Sequence, residues 1–344
     1  MAENLSGLLI TNSHWCAMSQ WAIGIDFGGT AIKAAVVDKE RGILTDRRVF
    51  TDTASGPRGI VIQLSAIIAD LYREASRKNS AENFVGAGVG APGAVNSRKG
   101  LLSYPPNLPG WSVVPLRDEL QSCLMEREKL SISVTLDNDA NVAALGEARY
   151  GAGREYNDFL MVTLGTGVGG GIVLDRQLYR GASGTAGEVG FMILDFEGPT
   201  IHAGIRGTLE SFIGKKGILA IARQMMDATP FGSSAGTLCG NDYSKLSPRH
   251  LEEAALAGDE VSIALWHRVG SLLGVGLANV AVLMDIRKFV IGGGISAAGN
   301  LILAPALAQV KKSTLPSMHE GLELVPALLG NKAGMYGAAA LCFG

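Results

Sequence analysis

The chain has 344 residues, of which 47% are hydrophobic and 18% are charged, and this composition excludes a largely disordered protein. The formal net charge of −2 disfavours binding to nucleic acid or to an anionic membrane through bulk electrostatics. The first twenty residues contain no Lys or Arg and lack the pattern of a signal peptide. Four widely spaced cysteines predict neither disulfides nor a cysteine zinc site and favour a reducing cytoplasm; they are Cys16, Cys123, Cys239 and Cys342.

The first part of the chain predicts strands, a glycine turn and a helix. Residues 22–27 (AIGIDF) and 32–38 (IKAAVVD) are apolar runs typical of strands, and Gly28-Gly29-Thr30 joins them. Between residues 59 and 78 the apolar positions recur with helical spacing. Residues 84–90 (FVGAGVG) predict a buried strand that ends at a proline-glycine turn.

The second part repeats this arrangement. Residues 131–139 (SISVTLDND) predict a strand that leads directly into a helix. Residues 159–165 and 170–175 predict two further strands with a glycine turn between them. A strand at 288–293 and a helix from about residue 297 to residue 312 follow.

Two segments need separate interpretation. Residues 269–284 are nearly all apolar, but they include Ser271, Asn279 and three glycines and are short for a membrane span. A buried helix is therefore favoured over a transmembrane helix. Residues 229–244 are rich in Gly, Ser and Thr and predict a mobile loop.

The alternation of strands and helices predicts an α/β fold. The glycine turns at 28–30 and 165–169 each lie between two strands, which predicts two related halves around a shared cleft. Residues 1–17 show no core-facing pattern, so we expect them to be dispensable and Met18 to be a candidate natural start. The predicted boundaries are 1–20 for an N-terminal extension, 21–136 plus 329–344 for a small α/β domain and 137–328 for a large one.

The glycine-rich segment at residues 165–170 (GTGVGG) matches the pattern GxGxxG. The dinucleotide-binding fingerprint requires a helix directly after these glycines, whereas residues 171–175 predict a strand. A Rossmann oxidoreductase is therefore disfavoured, and the absence of GxxxxGK[ST] excludes a P-loop.

Each glycine hairpin has two interpretations. It is either an ordinary tight turn, or a phosphate-binding turn that uses backbone N–H groups and the hydroxyls of Thr30 and Thr166. The presence of two such hairpins, together with a strand–glycine–helix element at residues 292–294, favours a nucleotide site. Asp26 precedes the first hairpin and either binds Mg²⁺ through water beside the phosphates or caps the turn.

At these residues the chain resembles the ROK family of sugar kinases and sugar-responsive repressors. The matching segments occur in the family's order from about Trp21 onward; they are IDFGGT (25–30), GAPGAVN (90–96), PNLPGW (106–111), DNDANVAALGE (137–147), LGTGVGGGIV (164–173), GTAGEVG (184–190) and GGGIS (292–296). The resemblance implies an actin-like ATPase (ribonuclease H-like) fold, with ATP and a hexose meeting between two domains. It also implies phosphorylation of the sugar's 6-hydroxyl, use of Mg²⁺, and a cytoplasmic homo-oligomer, specifically a dimer.

The resemblance also implies roles for individual residues. Asp139 matches the catalytic base; the alternative for this residue is an N-cap of the following helix. The implied sugar-binding residues are Gly93, Asn107, Asn138, Asp139, Glu188 and Glu210. The implied nucleotide-binding residues are Asp26, Gly28, Gly29, Thr30, Gly165, Thr166 and Gly167 on the phosphate side, and Gly293 and Gly294 on the adenosine side.

The sequence departs from the family at its structural zinc site. The histidine of that site, which also contacts the sugar in many relatives, is replaced by Phe191. The three cysteine positions hold Ile201, Ala203 and Thr208, and one nearby histidine, His202, cannot form a tetrahedral site alone. We therefore predict that the protein holds no zinc, and Phe191 leaves the identity of the sugar open.

Three competing functions follow from the resemblance. The repressors of the family have a winged helix-turn-helix before the first glycine turn, whereas only about twenty non-basic residues precede it here, which disfavours DNA binding. A polyphosphate-dependent glucokinase is the nearest alternative in phosphoryl donor. A weakly active or non-catalytic sugar-binding protein is the third, and the retention of Asp26, Asp139, Glu188 and Glu210 argues against it.

Overall fold

The computed structural model describes residues 19–106, 108, 110–200, 204–229 and 232–344. Residues 1–18, including Met18, lie outside the described residues, and so does Asn107. The strands are β1 (Trp21–Phe27), β2 (Ala31–Asp38), β3 (Gly42–Phe50), β4 (Phe84–Ala91), β5 (Ala94–Asn96), β6 (Leu101–Ser103), β7 (Val113–Val114), β8 (Val134–Asn138), β9 (Phe159–Leu164), β10 (Val168–Leu174), β11 (Gln177–Tyr179), β12 (Lys288–Gly292) and β13 (Glu323–Pro326). The α-helices are α1 (Gly56–Ala75), α2 (Leu116–Cys123), α3 (Asp139–Tyr150), α4 (Leu209–Ile213), α5 (Lys215–Asp227), α6 (Ser234–Leu238), α7 (Pro248–Leu256), α8 (Glu260–Met284), α9 (Asn300–Lys312) and α10 (Ala333–Ala340).

Two five-stranded sheets of the same topology form the framework. The first has the order β3-β2-β1-β4-β8, and the second has the order β11-β10-β9-β12-β13. In each sheet three consecutive strands are antiparallel, and the next two run parallel to the first strand of the three. This repeat confirms the predicted α/β class and the two related halves, while the exact domain boundaries stay a prediction.

Each sheet has its own hydrophobic core. The first core lies between the first sheet and helices α1 and α2, and it includes Phe27 and Leu64. The second lies between the second sheet and a helical layer, and its central helix is α8, with Trp266 and Leu273 fully buried. Helix α8 is the one helix in the described part of the chain that is long and apolar enough to span a membrane. Its buried face belongs to the second core, as predicted for a buried helix.

Helices α3 and α10 cross between the two sheets at very short range. A Cβ atom added to Gly337 would lie 1.5 Å from the Val142 carbonyl oxygen, and one added to Gly146 would lie 2.4 Å from the Ala333 carbonyl oxygen. Only glycine permits this approach of two backbones. Helix α10 covers the first sheet and α3 covers the second, so the two halves join through this crossing.

Three predicted boundaries were wrong. The segment predicted as a mobile loop at 229–244 contains α6, because Ser233 caps this helix and Asp259 accepts hydrogen bonds from Ser233 and Ser234. The strand predicted at 131–139 spans only Val134–Asn138, and α3 begins at the next residue, Asp139. Helix α9 begins at Asn300 rather than near residue 297, because a 3₁₀ turn and Gly299 at φ 54° precede it.

Candidate active site

Asp139 lies at the end of the first sheet, where β8 passes directly into α3. Asn138 is the N-cap of α3, and its Oδ1 accepts hydrogen bonds from the backbone N–H groups of Ala140 (2.8 Å) and Asn141 (3.2 Å). The N-cap interpretation of Asp139 was therefore wrong, since the preceding residue has that role. Asp139 is the first helical residue, and its carboxylate faces the space between the two sheets.

The environment of Asp139 disfavours its charged form. Desolvation by the surrounding protein is the largest cause, and the negative charges of Asp26 and Glu188 add to it; together they raise the pKa of Asp139 to about 6. The hydrogen bond from the Ala140 N–H acts in the opposite direction and is outweighed. Water in the open cleft still reaches the side chain. Asp139 is thus a carboxylate that gains and loses a proton close to neutral pH.

Glu188 and Glu210 bring two more carboxylates to the same space. Desolvation and the charge of Glu210 raise the pKa of Glu188. Glu210 lies on α4, and its Oε2 accepts a hydrogen bond from the Val168 N–H at 2.9 Å. A Cβ atom on Gly167 would lie 2.3 Å from that Oε2, so the glycine is required for Glu210 to contact the turn. Glu210 therefore connects α4 to the second glycine turn.

These residues line a cleft of about 570 Å³, which is ample for a hexose. Predicted residues from both halves of the chain meet there; they are Gly93, Asn138, Asp139, Gly165, Thr166, Gly167, Glu188, Glu210 and Gly293. Gly28, Gly29 and Thr30 do not line this cleft, and Asn107 lies outside the described residues. Gly93 has φ 95° and packs against Pro105, so the proline-rich loop lies against the GAPG turn.

Both predicted glycine turns are present between their strands. In the second turn the Gly165 N–H donates to the Gly167 carbonyl (2.9 Å), and Thr166 is exposed toward the cleft. In the first turn the Gly28 N–H donates to the Ala31 carbonyl (3.1 Å), and the Thr51 hydroxyl donates to the Gly28 carbonyl (2.6 Å). Asp26 precedes the first turn by two positions; it does not line the cleft, but its charge acts on Asp139.

Asp26 is held by a neighbouring strand. Asp26 on β1 is paired with Lys33 on β2 in the antiparallel register, and the Lys33 Nζ lies 3.0 Å from the Asp26 Oδ2. Within the described ranges no group of three or more His, Cys, Asp or Glu side chains forms a metal cage. A magnesium ion needs none, since it binds through one or two carboxylates together with substrate phosphates. Asp26, which lies within electrostatic range of Asp139, would supply one such carboxylate.

The two glycines predicted for the adenosine side, Gly293 and Gly294, line two different cavities. Gly293 lines the main cleft, whereas Gly294 lines a neighbouring cavity of about 420 Å³ together with Trp266 and Arg249. Gly293 has φ 89°, and a Cβ atom there would lie 2.2 Å from the Leu164 carbonyl oxygen. A Cβ atom on Gly294 would meet no atom within 4 Å, so that glycine leaves open space beside the cavity.

Two aromatic side chains stand at the edge of the cleft. Phe191 is 37% exposed in a short 3₁₀ turn, and Tyr104 is 72% exposed. No pattern in the sequence pointed to Tyr104, which has the unusual φ of 45°. Thr208, at a family cysteine position, is fully buried and caps α4 by accepting a hydrogen bond from the Ser211 N–H. Ile201, His202 and Ala203 lie outside the described residues.

The comparison with protein families decides the assignment. The model of the ROK family matches residues 22–343. The chain belongs to the ROK family. A glucokinase of Halalkalibacterium halodurans is 34% identical over 319 residues, which are 92% of this chain and 93% of the relative. A xylose repressor of Caldicellulosiruptor bescii is 27% identical over 281 residues, covering 81% of this chain and 68% of the repressor.

Solved structures of the ROK family include a similar glucokinase. The enzyme from Streptomyces griseus, in complex with glucose and AMPPNP, is 33% identical and superposes with a TM-score of 0.78. The match covers 94% of this chain and 99% of that enzyme. These likenesses confirm the actin-like ATPase fold and identify the chain as a ROK sugar kinase.

Proposed function

We propose that this ROK protein transfers the γ-phosphoryl group of ATP to the 6-hydroxyl of glucose or a related hexose. The observation that carries the proposal is the convergence of Asp139, Glu188 and Glu210 with a glycine turn in one cleft. Glucokinase relatives support glucose as the sugar, and the complex of one of them with AMPPNP supports ATP as the donor.

Asp139 is the proposed general base. A base is most effective when its pKa lies near the working pH, because it must be deprotonated and still have affinity for a proton. The surroundings of Asp139 raise its pKa to about 6, which meets this condition. In the proposed reaction Asp139 accepts the proton of the sugar hydroxyl while the hydroxyl oxygen attacks the γ-phosphorus. The bond from the γ-phosphorus to the β–γ bridging oxygen breaks, and ADP leaves.

Glu188 and Glu210 are proposed to orient the sugar. Carboxylate oxygens accept hydrogen bonds from sugar hydroxyls, which need partners once the cleft excludes water. The bond from Val168 fixes one oxygen of Glu210, so this side chain is already oriented. Asn138 has a different part: its Oδ1 caps α3 and its Nδ2 donates to the Gly93 carbonyl (3.0 Å). It therefore binds the sugar, if at all, only through its second amide hydrogen.

The donor is proposed to bind along the glycine turns. Phosphoryl transfer depends on positioning and on charge neutralisation, and backbone N–H groups with the Thr166 hydroxyl supply donors for phosphate oxygens. Asp26 would hold a Mg²⁺ ion that accompanies the nucleotide, and such an ion would neutralise charge on the phosphates. The cavity beside Gly294 and Trp266 is the proposed site of the adenosine. Polyphosphate would have no use for this cavity, which favours ATP.

One assay tests the proposal. Purified protein is offered ATP or polyphosphate with a panel of hexoses, and sugar phosphate is measured for each pair. We expect glucose or a close relative with ATP to give turnover at least tenfold above every polyphosphate pair. Faster reaction with polyphosphate than with ATP would show that polyphosphate is the phosphoryl donor. Binding of a hexose without turnover from either donor would identify a non-catalytic sugar-binding protein.

A further inference from the structure

We propose that the ion pair of Arg180 with Asp137 is a positioning device that holds two parts of the active site in register. One part is the end of β8 with Asn138 and Asp139, and the other is the loop that leads to Glu188. This inference rests on the proposed function for its kinetic consequences, while the structural coupling itself is independent of it. Neither Arg180 nor Asp137 lines the cleft, so both act through the residues beside them.

Asp137 is a buried carboxylate with three donors. It is 1% exposed, and its Oδ2 accepts a hydrogen bond from the Arg180 Nε at 2.6 Å. Its Oδ1 accepts from the Asn138 N–H (2.8 Å) and from the Asn141 Nδ2 (2.9 Å). A buried charge without such partners would be costly, so Asp137 constrains the groups that surround it. Two of those groups lie directly on either side of Asp139 and Ala140.

Arg180 organises the loop on the other side. Its carbonyl oxygen accepts hydrogen bonds from the N–H groups of Gly184 (3.1 Å) and Ala186 (3.3 Å), which fold the loop back on itself. Gly184 and Ala186 line the cleft, and Glu188 follows two residues later. The side chain of Arg180 therefore anchors a loop whose far end holds a sugar-orienting carboxylate.

The residues around the ion pair of Arg180 with Asp137 also contact a third segment. The Asn138 Nδ2 donates to the Gly93 carbonyl, so the residue that Asp137 fixes also contacts the GAPG turn. Gly184 has φ 97°, and a Cβ atom there would lie 2.5 Å from the Val95 carbonyl oxygen, so the loop packs directly on β5. Three cleft-lining segments thus meet around one ion pair. Loss of this pair is expected to make the position of each segment relative to the bound sugar less well defined.

The kinetic test uses Arg180→Gln and Asp137→Asn. Misplacement of reacting groups by a distant change costs up to about 100-fold, so we expect kcat/KM for the sugar to fall about 10- to 100-fold. The KM for ATP is expected to change less than about twofold, because the hydrogen bonds of the Arg180 and Asp137 side chains go to each other and to Asn138, Asn141 and Leu178, and to neither glycine turn. Arg180→Lys keeps the charge and is expected to recover part of the loss, as is Asp137→Glu. In the double variant Arg180→Gln/Asp137→Asn the loss is expected not to exceed that of the worse single variant.

Hydrogen exchange tests the coupling without any ligand. Arg180→Gln is expected to speed amide exchange at least tenfold both in its own loop (180–188) and at the start of α3 (138–141). The control is Arg47→Gln, since Arg47 is about as exposed as Arg180 and forms an ion pair of similar length, 2.7 Å to Glu74, with neither residue lining the cleft. That control is expected to leave both segments and the sugar kinetics unchanged.

The outcomes separate this inference from the proposed function. Faster exchange confined to 180–188, with 138–141 unchanged, overturns the coupling whatever the activity. Exchange that rises throughout the chain with a large fall in Tm indicates a merely structural role and also overturns it. If the wild type phosphorylates no hexose, the proposed function fails, and exchange in 138–141 still decides the coupling. Arg180 is partly exposed, so its variant serves even if Asp137→Asn does not fold.

Discussion

The carboxylates of Asp26 and Asp139 lie at the same end of the first sheet, close enough for the charge of Asp26 to raise the pKa of Asp139. Their strands, β1 and β8, are not neighbours, since β4 lies between them. Asp139 lines the cleft together with Glu188 and Glu210, whereas Asp26 does not line it and acts on Asp139 through its charge. The charges of Asp26 and Glu188 therefore both contribute to the raised pKa of Asp139.

Activity is expected to fall on the acidic side of pH 6. A base is active only when deprotonated, and Asp139 has its pKa raised to about 6. As the pH decreases below that value, kcat/KM for the sugar should therefore fall about tenfold per pH unit. A pH series of initial rates at low sugar concentration measures this limb. A rate that stays constant down to pH 4.5 would show that the pKa of Asp139 is not raised in the free enzyme.

Asp139→Asn is expected to abolish turnover while sugar affinity stays within about threefold of the wild type. The change removes the base and keeps the size of the side chain, and a general base contributes about 10²–10⁴ to the rate. Steady-state kinetics and calorimetric titration with glucose measure the two quantities. The control Asp70→Asn changes an exposed carboxylate of α1 and should leave both unaltered. Activity within tenfold of the wild type would contradict the assignment.

The same substitution is expected to stabilise the fold at neutral pH. The folded pKa of Asp139 lies above its ordinary value of 3.8, so the folded protein loses stability as the pH rises from about 4 to 6. Asparagine removes that loss. Since cleft water screens the group, we expect Asp139→Asn to raise the free energy of unfolding by about 1 kcal/mol at pH 7.5. The increase should be roughly half of that at pH 5 and absent below pH 4. Urea unfolding at these pH values tests the trend, and a gain independent of pH would contradict it.

Phe191→Ala is expected to weaken sugar binding. An aromatic contact contributes about 0.5–1.5 kcal/mol beyond its buried area, so the KM for glucose should rise about three- to tenfold with kcat changed less than about twofold. Phe196→Ala is the matched control, because Phe196 is 80% exposed and does not line the cleft. Equal effects of the two substitutions would show that Phe191 does not contact the sugar.

The parts of the site that depend on short sequence segments were predictable. The strand–turn–strand pattern located both glycine turns, and the DND segment located Asp139 at a strand end. The alternative interpretation of Asp139 as an N-cap was wrong, because Asn138 and Asp139 are both good caps and only the backbone decides between them.

Contacts between distant segments were not predictable. Arg180 pairs with a carboxylate 43 positions away, and no periodicity connects the two residues. Glu147 is a similar case: it is fully buried and accepts a hydrogen bond from the Leu329 N–H, 182 positions away. A single sequence contains no signal for such pairs, since any Arg or Glu on an amphipathic segment has an exposed face as its default.

Glucose alone is expected to close the cleft. Sugar-binding groups come from both halves, with Gly93 on one side and Glu188 and Glu210 on the other, so bound sugar favours the state in which the halves are close. Closure also removes the water that now reaches Asp139. Small-angle scattering with and without saturating glucose should show a smaller radius of gyration in the bound state. Binding without any change in scattering would mean that one half holds the sugar alone.

The glycine crossing of α3 and α10 has a consequence for how this protein can vary. At the crossing itself Gly146 and Gly337 bring backbone against backbone, so this contact uses groups that every sequence shares. Neither glycine belongs to either of the two large cores. Substitutions within those cores therefore leave the backbone contact of the crossing unchanged. The halves also contact each other through the ion pair of Arg180 with Asp137. A chimera that joins one half of this chain to the other half of a relative should fold, provided that both glycines and this ion pair are kept.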